Sequence, residues 1–292
     1  MPSNLSIIFN PAAGARRRAR LYSALDYFYG LGVRFELLET GAPGDARTLA
    51  QQAAQKDRIV IAAGGDGTIA EVAAGLDGTT ALLGILPLGT ANVFALEMAI
   101  PLNLKEAART LLLGRNTRIY PGILEHGNAS DRLFIQMVSV GLDAVVVHHL
   151  PPRLKRAFGK TSYVMQTLCD LTRHPFDSFK VNVDGQQLTP SGLVVTKGRF
   201  YAGRFEIAPH ADPRDTDFHV VSLYQRHFFD ALKQTAALGL GRLKTLSGVK
   251  LHRGREIEVF GADLPVQADG DAAGLLPIKV TPSLKPLRVI VP

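Results

Sequence analysis

Ala62-Ala63-Gly64-Gly65-Asp66-Gly67-Thr68-Ile69-Ala70 is the stretch that decides how the first part of this chain folds. The apolar run Arg58-Ile59-Val60-Ile61-Ala62-Ala63 leads into it, and a helical pattern from Ile69 to Leu76 leaves it. A buried strand that breaks into glycines and restarts as a helix collects unpaired backbone N–H groups at a positive helix end. That arrangement favours an anion, above all a phosphate. The glycines let the backbone approach such a group closely. Asp66 alone would repel it, and makes sense beside a metal ion or a hydroxyl to be deprotonated. The loop therefore reads as a site of phosphoryl transfer.

Outward from the loop, strands and helices alternate with the spacing of a parallel sheet. Strands are expected at Leu5–Phe9, Val33–Glu39, Ile59 onward and Leu82–Leu86. Helices are expected at Ala15–Tyr29, Pro43–Gln55, from Thr68, at Asn92–Met98 and at Leu104–Leu113. Ligands of such sheets sit at the carboxyl ends of the strands. Asn10, Thr40, Gly64 to Thr68 and Thr90 all fall there. After Thr117 the rhythm becomes that of short strands and hairpin turns such as Asp184-Gly185 and Asp269-Gly270. Strands are expected at Phe134–Val140, Phe179–Gly185, Leu193–Thr196, Phe218–Tyr224, Glu256–Phe260, Leu264–Ala268, Ile278–Val280 and Leu287–Val291. Helices are expected near Thr161–Thr172 and Phe228–Leu240, both carrying apolar residues suited to a lipid-facing groove. The expected architecture is a three-layer α/β nucleotide-binding domain over 1–118, then a mostly antiparallel β-sandwich or open barrel over 119–292. The last few residues are expected to return to the first domain.

The bulk composition narrows the class. With 292 residues, 46% of them hydrophobic, the chain has mass enough for two cores. One cysteine, Cys169, excludes an intramolecular disulfide and suits a reducing cytoplasm. Met1-Pro2-Ser3-Asn4-Leu5 lacks the charged and apolar regions of a signal peptide. The most apolar stretch, Thr80 to Leu102, is cut by Gly84, Pro87, Gly89 and Pro101, so no membrane span is expected. The expectation is a cytoplasmic protein that associates peripherally with membranes. The net charge is +7, with basic clusters at Arg16–Arg20, Arg153–Arg156 with Lys160, and Lys250–Arg255. No nucleic-acid module accompanies them, and an anionic lipid surface is the better partner. Part of the first cluster is placed to face nucleotide phosphates.

Taken together, these motifs resemble the diacylglycerol kinase catalytic-domain family: soluble bacterial lipid kinases with sphingosine and ceramide kinases. The resemblance is carried by Asn10-Pro11-Ala12-Ala13-Gly14, Thr40 before Pro43-Gly44-Asp45-Ala46, Gly64 to Thr68 with Glu71, and Pro87-Leu88-Gly89-Thr90-Ala91-Asn92. It continues through Gly141-Leu142-Asp143-Ala144, Ile207-Ala208-Pro209-His210-Ala211, Asp269-Gly270-Asp271 and Leu287 to Pro292. It implies that ATP lies between the domains. Gly64, Gly65, Asp66, Gly67, Thr68, Ile69 and Ala70 would wrap the phosphates, Thr40 and Thr90 would donate hydroxyls, and Asn10 would fix the first loop. It assigns the general base for a lipid hydroxyl to the Asp269-Gly270-Asp271 turn, where the family usually carries Glu at position 271. The division of labour between Asp269 and Asp271 is left open, and Asp66 is the third catalytic candidate. The family also implies a structural Mg²⁺ in the loop Asp212-Pro213-Arg214-Asp215-Thr216-Asp217. Its ligands would be the Asp215 carboxylate and the carbonyls of Asp212 and Asp217, although Thr216 stands where Gly is favoured. Val93 replaces an Asp common in the family after the Thr-x-Asn segment, and Tyr120 stands where many members have an Asp that joins the catalytic metal's water network.

Three functions compete on this reading. The first is ATP-dependent phosphorylation of a diacylglycerol-like or sphingoid lipid. The second is an NAD kinase-like reaction. The third is a catalytically silent nucleotide- or lipid-binding protein, motivated by Val93 and Tyr120. A homodimer stays open among the partners.

Overall fold

The computed structural model of the protein describes residues 5–11, 15–56, 58–127, 130–149, 176–261 and 263–292. The chain divides into two units, one running to Tyr120 and regaining Leu284–Pro292, the other Pro121–Ser283. In the first unit, β1 (Leu5–Phe9), α1 (Ala15–Gly30), β2 (Phe35–Glu39), α2 (Asp45–Ala53), β3 (Ile59–Gly64), α3 (Asp66–Gly75) and β4 (Leu82–Pro87) alternate. They are followed by α4 (Val93–Glu97), α5 (Leu104–Leu113) and β5 (Arg115–Ile119). The strands β2-β1-β3-β4 are parallel neighbours in that order. All six residues of β3 are buried, as an apolar run in a sheet covered on both faces should be. The chain's strand Leu287–Val291 returns to lie parallel to β4, and β5 closes the edge antiparallel to it. β5 is absent from the sequence reading because Arg115, Asn116 and Arg118 are exposed and show no apolar period. Its pairing partner comes from the far end of the chain.

The second unit contains β6 (Gly122–Glu125), β7 (Arg132–Phe134), β8 (Met137–Val140), α6 (Leu142–His149), β9 (Lys180–Val183), β10 (Gln186–Leu188) and β11 (Gly192–Thr196). Next come β12 (Phe200–Tyr201), β13 (Phe205–Glu206), β14 (Phe218–Leu223), α7 (Phe228–Gly239) and β15 (Val249–Gly254). β16 (Ile257–Phe260), β17 (Pro265–Ala268), β18 (Asp271–Leu275) and β19 (Ile278–Pro282) complete it. One sheet runs β10-β9-β16-β19-β6-β7, the other β15-β14-β11-β8-β17-β18, and neighbours pair antiparallel. Residues of both sheets share one core. Leu124, Phe134, Val181 and Ile257 from the first meet Val138, Val195, Phe218 and Val266 from the second. The unit is a β-sandwich.

One expected strand is two. The sequence from Phe134 to Val140 reads as one strand, but β7 and β8 belong to different sheets, broken at Ile135 and Gln136. The apolar run continues across the break because Phe134 on one side and Val138 and Val140 on the other face the same core. The expected helix at Thr161–Thr172, the basic cluster at Arg153–Lys160 and Cys169 lie outside the described residues.

Phe134 is fully buried and stacks on Phe218, with centroids 5.9 Å apart at 23°. Phe134→Ala is expected to destabilise the sandwich by about 3–5 kcal/mol through lost burial and a residual cavity. Denaturant unfolding of the purified variant measures this directly.

Candidate active site

Strand register brings the first set of predicted residues to one sheet edge. Phe9 lies opposite both Glu39 and Ala63, and Gly64 lies opposite Pro87. The residues that leave these strands are Asn10, Thr40, Gly65 and Leu88, so four loops emerge side by side. Thr40 extends the ladder by donating its N–H to the Phe9 carbonyl at 3.0 Å. Gly65 caps α3, and the first intrahelical bond runs from the Ile69 N–H to the Gly65 carbonyl at 3.0 Å. Ile69 is fully buried, so its amide serves the helix and its side chain the core. The anion-facing donors of a helix N-terminus are the amides ahead of that bond, at Gly67 and Thr68.

The glycines here are demanded by contact. A Cβ on Gly65 would stand 3.2 Å from the Gly89 Cα, and one on Gly89 only 2.6 Å from the Gly65 Cα. The loops after β3 and β4 thus touch backbone to backbone. Asp66 ties them together, accepting the Phe94 N–H at 3.1 Å and so capping α4. Asn92 holds its own turn with Nδ2 on the Gly89 carbonyl at 3.0 Å, while its buried Oδ1 has no partner among the described residues. Val93, buried, begins α4, and half-buried Tyr120 ends the first unit before the boundary; neither side chain brings a carboxylate.

The basic cluster on α1 also reaches this edge. Arg17 donates to the Thr90 hydroxyl at 3.2 Å and Arg20 to the Pro87 carbonyl at 3.4 Å. Partial burial, then the charge of Arg20, holds the Arg17 guanidinium below its usual range. Arg18 instead pairs with Glu39 at 2.9 Å. The cluster is therefore divided, two arginines at the strand ends and one in an exposed ion pair.

In the second unit, the acidic turn resolves into two unlike residues. Asp269 and Gly270 take φ of 51° and 84° between β17 and β18, as a two-residue hairpin turn requires. Asp269 is buried, and its carboxylate accepts three consecutive amides: Ile135 at 2.8 Å, Gln136 at 2.9 Å and Met137 at 3.0 Å. Burial pushes its carboxyl up to about 6, against the pull of those amides and of Arg132, so it remains an anion at neutral pH. Its oxygens are spent on the β7–β8 break, a structural task that does not fit the expected base. Asp271 is different: its side chain is 50% exposed and lies 3.9 Å from the Arg132 guanidinium. Arg132 grips the turn from both sides, donating to the carbonyls of Ala268 and Ala272. Beneath, Gln267 accepts the Gly270 N–H at 2.8 Å and donates to Ser139 and Asp143. Asp143 also receives the hydroxyls of Ser139 and Tyr201. Sequence reasoning missed Arg132 and Gln267. The one available signal was a Gln inside an otherwise apolar strand, two residues before Asp-Gly.

The acidic loop does not form the expected metal site. Asp212 pairs with Arg214 at 3.0 Å, Asp215 with Arg253 at 2.8 Å, and Asp217 with Arg253 and Arg255 at 3.0 and 2.8 Å. The Asp212 carbonyl accepts the Asp215 N–H, and the Asp217 carbonyl accepts the Lys197 ammonium. Every expected ligand already has a protein partner. Among the described residues, no group of three or more His, Cys, Asp and Glu is arranged to hold a metal. The same contacts remove Arg253 and Arg255 from the free basic surface expected at Lys250–Arg255.

Comparison with known proteins places these features. Residues 4–122 match the family model for the diacylglycerol kinase catalytic domain, and residues 136–291 match the YegS C-terminal NAD kinase beta sandwich-like domain. A probable lipid kinase YegS-like protein of Klebsiella pneumoniae (strain 342) is 30% identical over 242 residues, 81% of this chain and 79% of its own. A diacylglycerol kinase of Mycobacterium tuberculosis is 26% identical over 294 residues, 99% and 95% of the two chains. A crystal structure from Bacillus anthracis str. Sterne shares the fold, with a TM-score of 0.80 at 20% identity, covering 100% of this chain and 96% of that one.

The two aspartates of the turn are separable by experiment. Asp269→Asn replaces an acceptor oxygen with an NH₂ group facing backbone donors. It is expected to cost about 2–4 kcal/mol of stability, because charged acceptors and buried unsatisfied amides both weigh heavily. Asp271→Asn, at a half-exposed position, is expected to leave the unfolding midpoint within error. Equal stabilities for the two variants in chemical denaturation would contradict this assignment.

Proposed function

The chain belongs to the diacylglycerol kinase catalytic-domain family, and from that membership we propose that it is an ATP-dependent lipid kinase. The observation that carries the reading is the glycine loop ending in the N-terminus of α3, where Gly64 to Thr68 meet the Gly89 turn. On this reading the loop amides take the phosphates of ATP, with Thr40 and Thr90 at the same strand ends as hydroxyl donors. Arg17 and Arg20 add positive charge there, which matters more in a chain with Val93 and Tyr120 where carboxylates are usual. Mg²⁺ entering with the nucleotide would neutralise phosphate charge, and Asp66 is the carboxylate the loop offers it. Such ions keep several waters and bind through one or two carboxylates plus the phosphates, so a single Asp fits.

Transfer itself needs positioning and charge stabilisation more than covalent help. The acceptor hydroxyl oxygen attacks the γ-phosphorus, the bond to the β-phosphate oxygen breaks, and ADP leaves. The hydroxyl proton passes to a carboxylate, the role we give to Asp271. Its exposure and its fixation by Arg132 suit a base that must meet a substrate.

A lipid acceptor has to be reached at a membrane, and α7 has a face for it. Ala231, Gln234 and Ala237 are buried, while Phe229 is 71% exposed, Leu232 41% and, just past the helix, Leu240 73%. Exposed Lys233 lies on the helix, and exposed Arg226, Arg242 and Lys244 flank it in the chain. An apolar stripe flanked by basic residues suits shallow insertion into an anionic interface. No helix among the described residues is long and apolar enough to cross a membrane.

The direct test presents radiolabelled ATP with diacylglycerol, a sphingoid base and NAD as alternative acceptors. Label in a lipid is expected. Label only in NAD would favour the NAD kinase-like alternative, and no transfer would favour a silent binding protein. Asp66→Asn keeps an oxygen for the Phe94 amide and is expected to lower transfer at least ~100-fold while the protein stays folded. Phe229→Glu with Leu232→Glu is expected to weaken binding to anionic vesicles at least ~tenfold, and added salt to weaken the wild type further. Binding that is unchanged in the double variant would place the membrane surface elsewhere.

A further inference from the structure

Lys197 follows β11 and is 1% exposed, an uncommon place for a lysine. Its ammonium donates to two main-chain carbonyls of the acidic loop, those of Asp215 and Asp217, the latter at 3.0 Å. The ring of Phe218 lies 5.0 Å from the same nitrogen, a distance at which an aromatic face attracts a cation. Asp212, Asp215 and Asp217 all act on it with favourable charge, while their carboxylates are engaged by Arg214, Arg253 and Arg255. The loop is thus neutralised entirely by side chains of this chain: one ammonium inside, three guanidinium groups outside.

We propose that the Lys197 ammonium is the built-in cation of the 212–217 loop, standing where a divalent ion would otherwise hold those carbonyls. Three features of the site support this over a metal-filled loop. A hard divalent ion needs six or more oxygens at 2.0–2.6 Å, roughly, and the loop offers carbonyls already taken and carboxylates already paired. An ammonium has three donors and is satisfied by two carbonyls and an aromatic face. A second positive charge of +2 beside the buried ammonium would be strongly opposed in so dry a place.

The clamp also reaches the acidic turn. The Lys197 N–H and the Thr196 hydroxyl both bond to the Gln136 carbonyl, and the Gln136 N–H bonds to the Asp269 carboxylate. Lys197 therefore ties the 212–217 loop to the strand break that supports Asp269-Gly270-Asp271. It acts through those residues and is a positioning residue, with no contact to substrate implied. In chains where a metal holds the loop, its order would follow the divalent concentration; here it is fixed by covalent sequence.

Amide hydrogen exchange of the peptide spanning 212–217 tests this, in nucleotide-free full-length protein with EDTA or with millimolar Mg²⁺ or Ca²⁺. The wild type is expected to exchange at the same rate in all three. Lys197→Ala should exchange at least ~tenfold faster in EDTA, since two carbonyls lose their donor and the loop opens locally. Mg²⁺ or Ca²⁺ should slow it again, because the vacated space and the freed carbonyls accept a cation. Lys197→Met should be loosened equally but not rescued, because its side chain fills the space. Rescue of the alanine variant alone is the signature of a substituted cation.

Faster exchange of the wild type in EDTA would overturn the proposal, as would an alanine variant that exchanges normally or is not slowed by either ion. Asp215→Asn keeps the test decisive if Lys197→Ala does not fold. It should show a small loss of protection that is identical with and without divalent ions, and a loss that depends on Mg²⁺ would mark Asp215 as a metal ligand.

Discussion

The Asp269 carboxylate, taking the amides of Ile135, Gln136 and Met137, is the interaction on which the second unit depends. A chain crossing from one sheet of a sandwich to the other must leave both ladders, and its amides then need other partners. Buried polar groups without partners cost about 1–3 kcal/mol each, so three at one break would be prohibitive for a marginally stable fold. One anion on a tight turn satisfies all three. Because that anion is at a hairpin tip, the same contact fixes where the next carboxylate, Asp271, emerges. Two aspartates one glycine apart thus differ in kind, the inner one holding the strand break and the outer one half exposed beside Arg132.

The first unit solves a different problem with less polar material. Its parallel strands end in register, and the glycines after β3 and β4 let two loops come into backbone contact. Asp66 bridges those loops by capping α4, so the loop's single carboxylate has a local reason to be there besides any role with phosphate. The bridge also explains why Asn92 adopts a left-handed conformation ahead of α4. The turn must bring the Phe94 amide back toward the glycine loop. Charge at the strand ends then comes from α1, through Arg17 and Arg20, rather than from the loops themselves.

Much of this was legible in the sequence, for identifiable reasons. Ile59-Val60-Ile61 followed by Gly64-Gly65 announces a parallel strand that breaks into a glycine turn and restarts as a helix, because each depends on residues adjacent in the chain. The Asp269-Gly270 hairpin is legible on the same grounds. What could not be read depends on partners distant in sequence. β5 looks like a polar linker until the strand at Leu287–Val291 comes back to pair with it. The β7–β8 break is invisible because Phe134 to Val140 is a largely apolar run with no Gly, Pro or Asn to mark it, and the anion that stabilises the break lies more than a hundred residues away. Lys197 looks like any lysine after a strand, and the acidic loop looks like a metal site. Only the fold shows that arginines from β15 and its flank, with a buried ammonium, already meet its oxygens.

The central proposal is that Asp271 takes the proton from the hydroxyl that ATP phosphorylates. The most direct measurement is of ATP affinity and single-turnover transfer to a lipid acceptor, side by side in the wild type and in Asp271→Asn. Removing a base that touches only the hydroxyl should slow transfer at least ~100-fold and leave the ATP dissociation constant unchanged. Transfer at the wild-type rate, or ATP affinity lost along with it, would contradict the account.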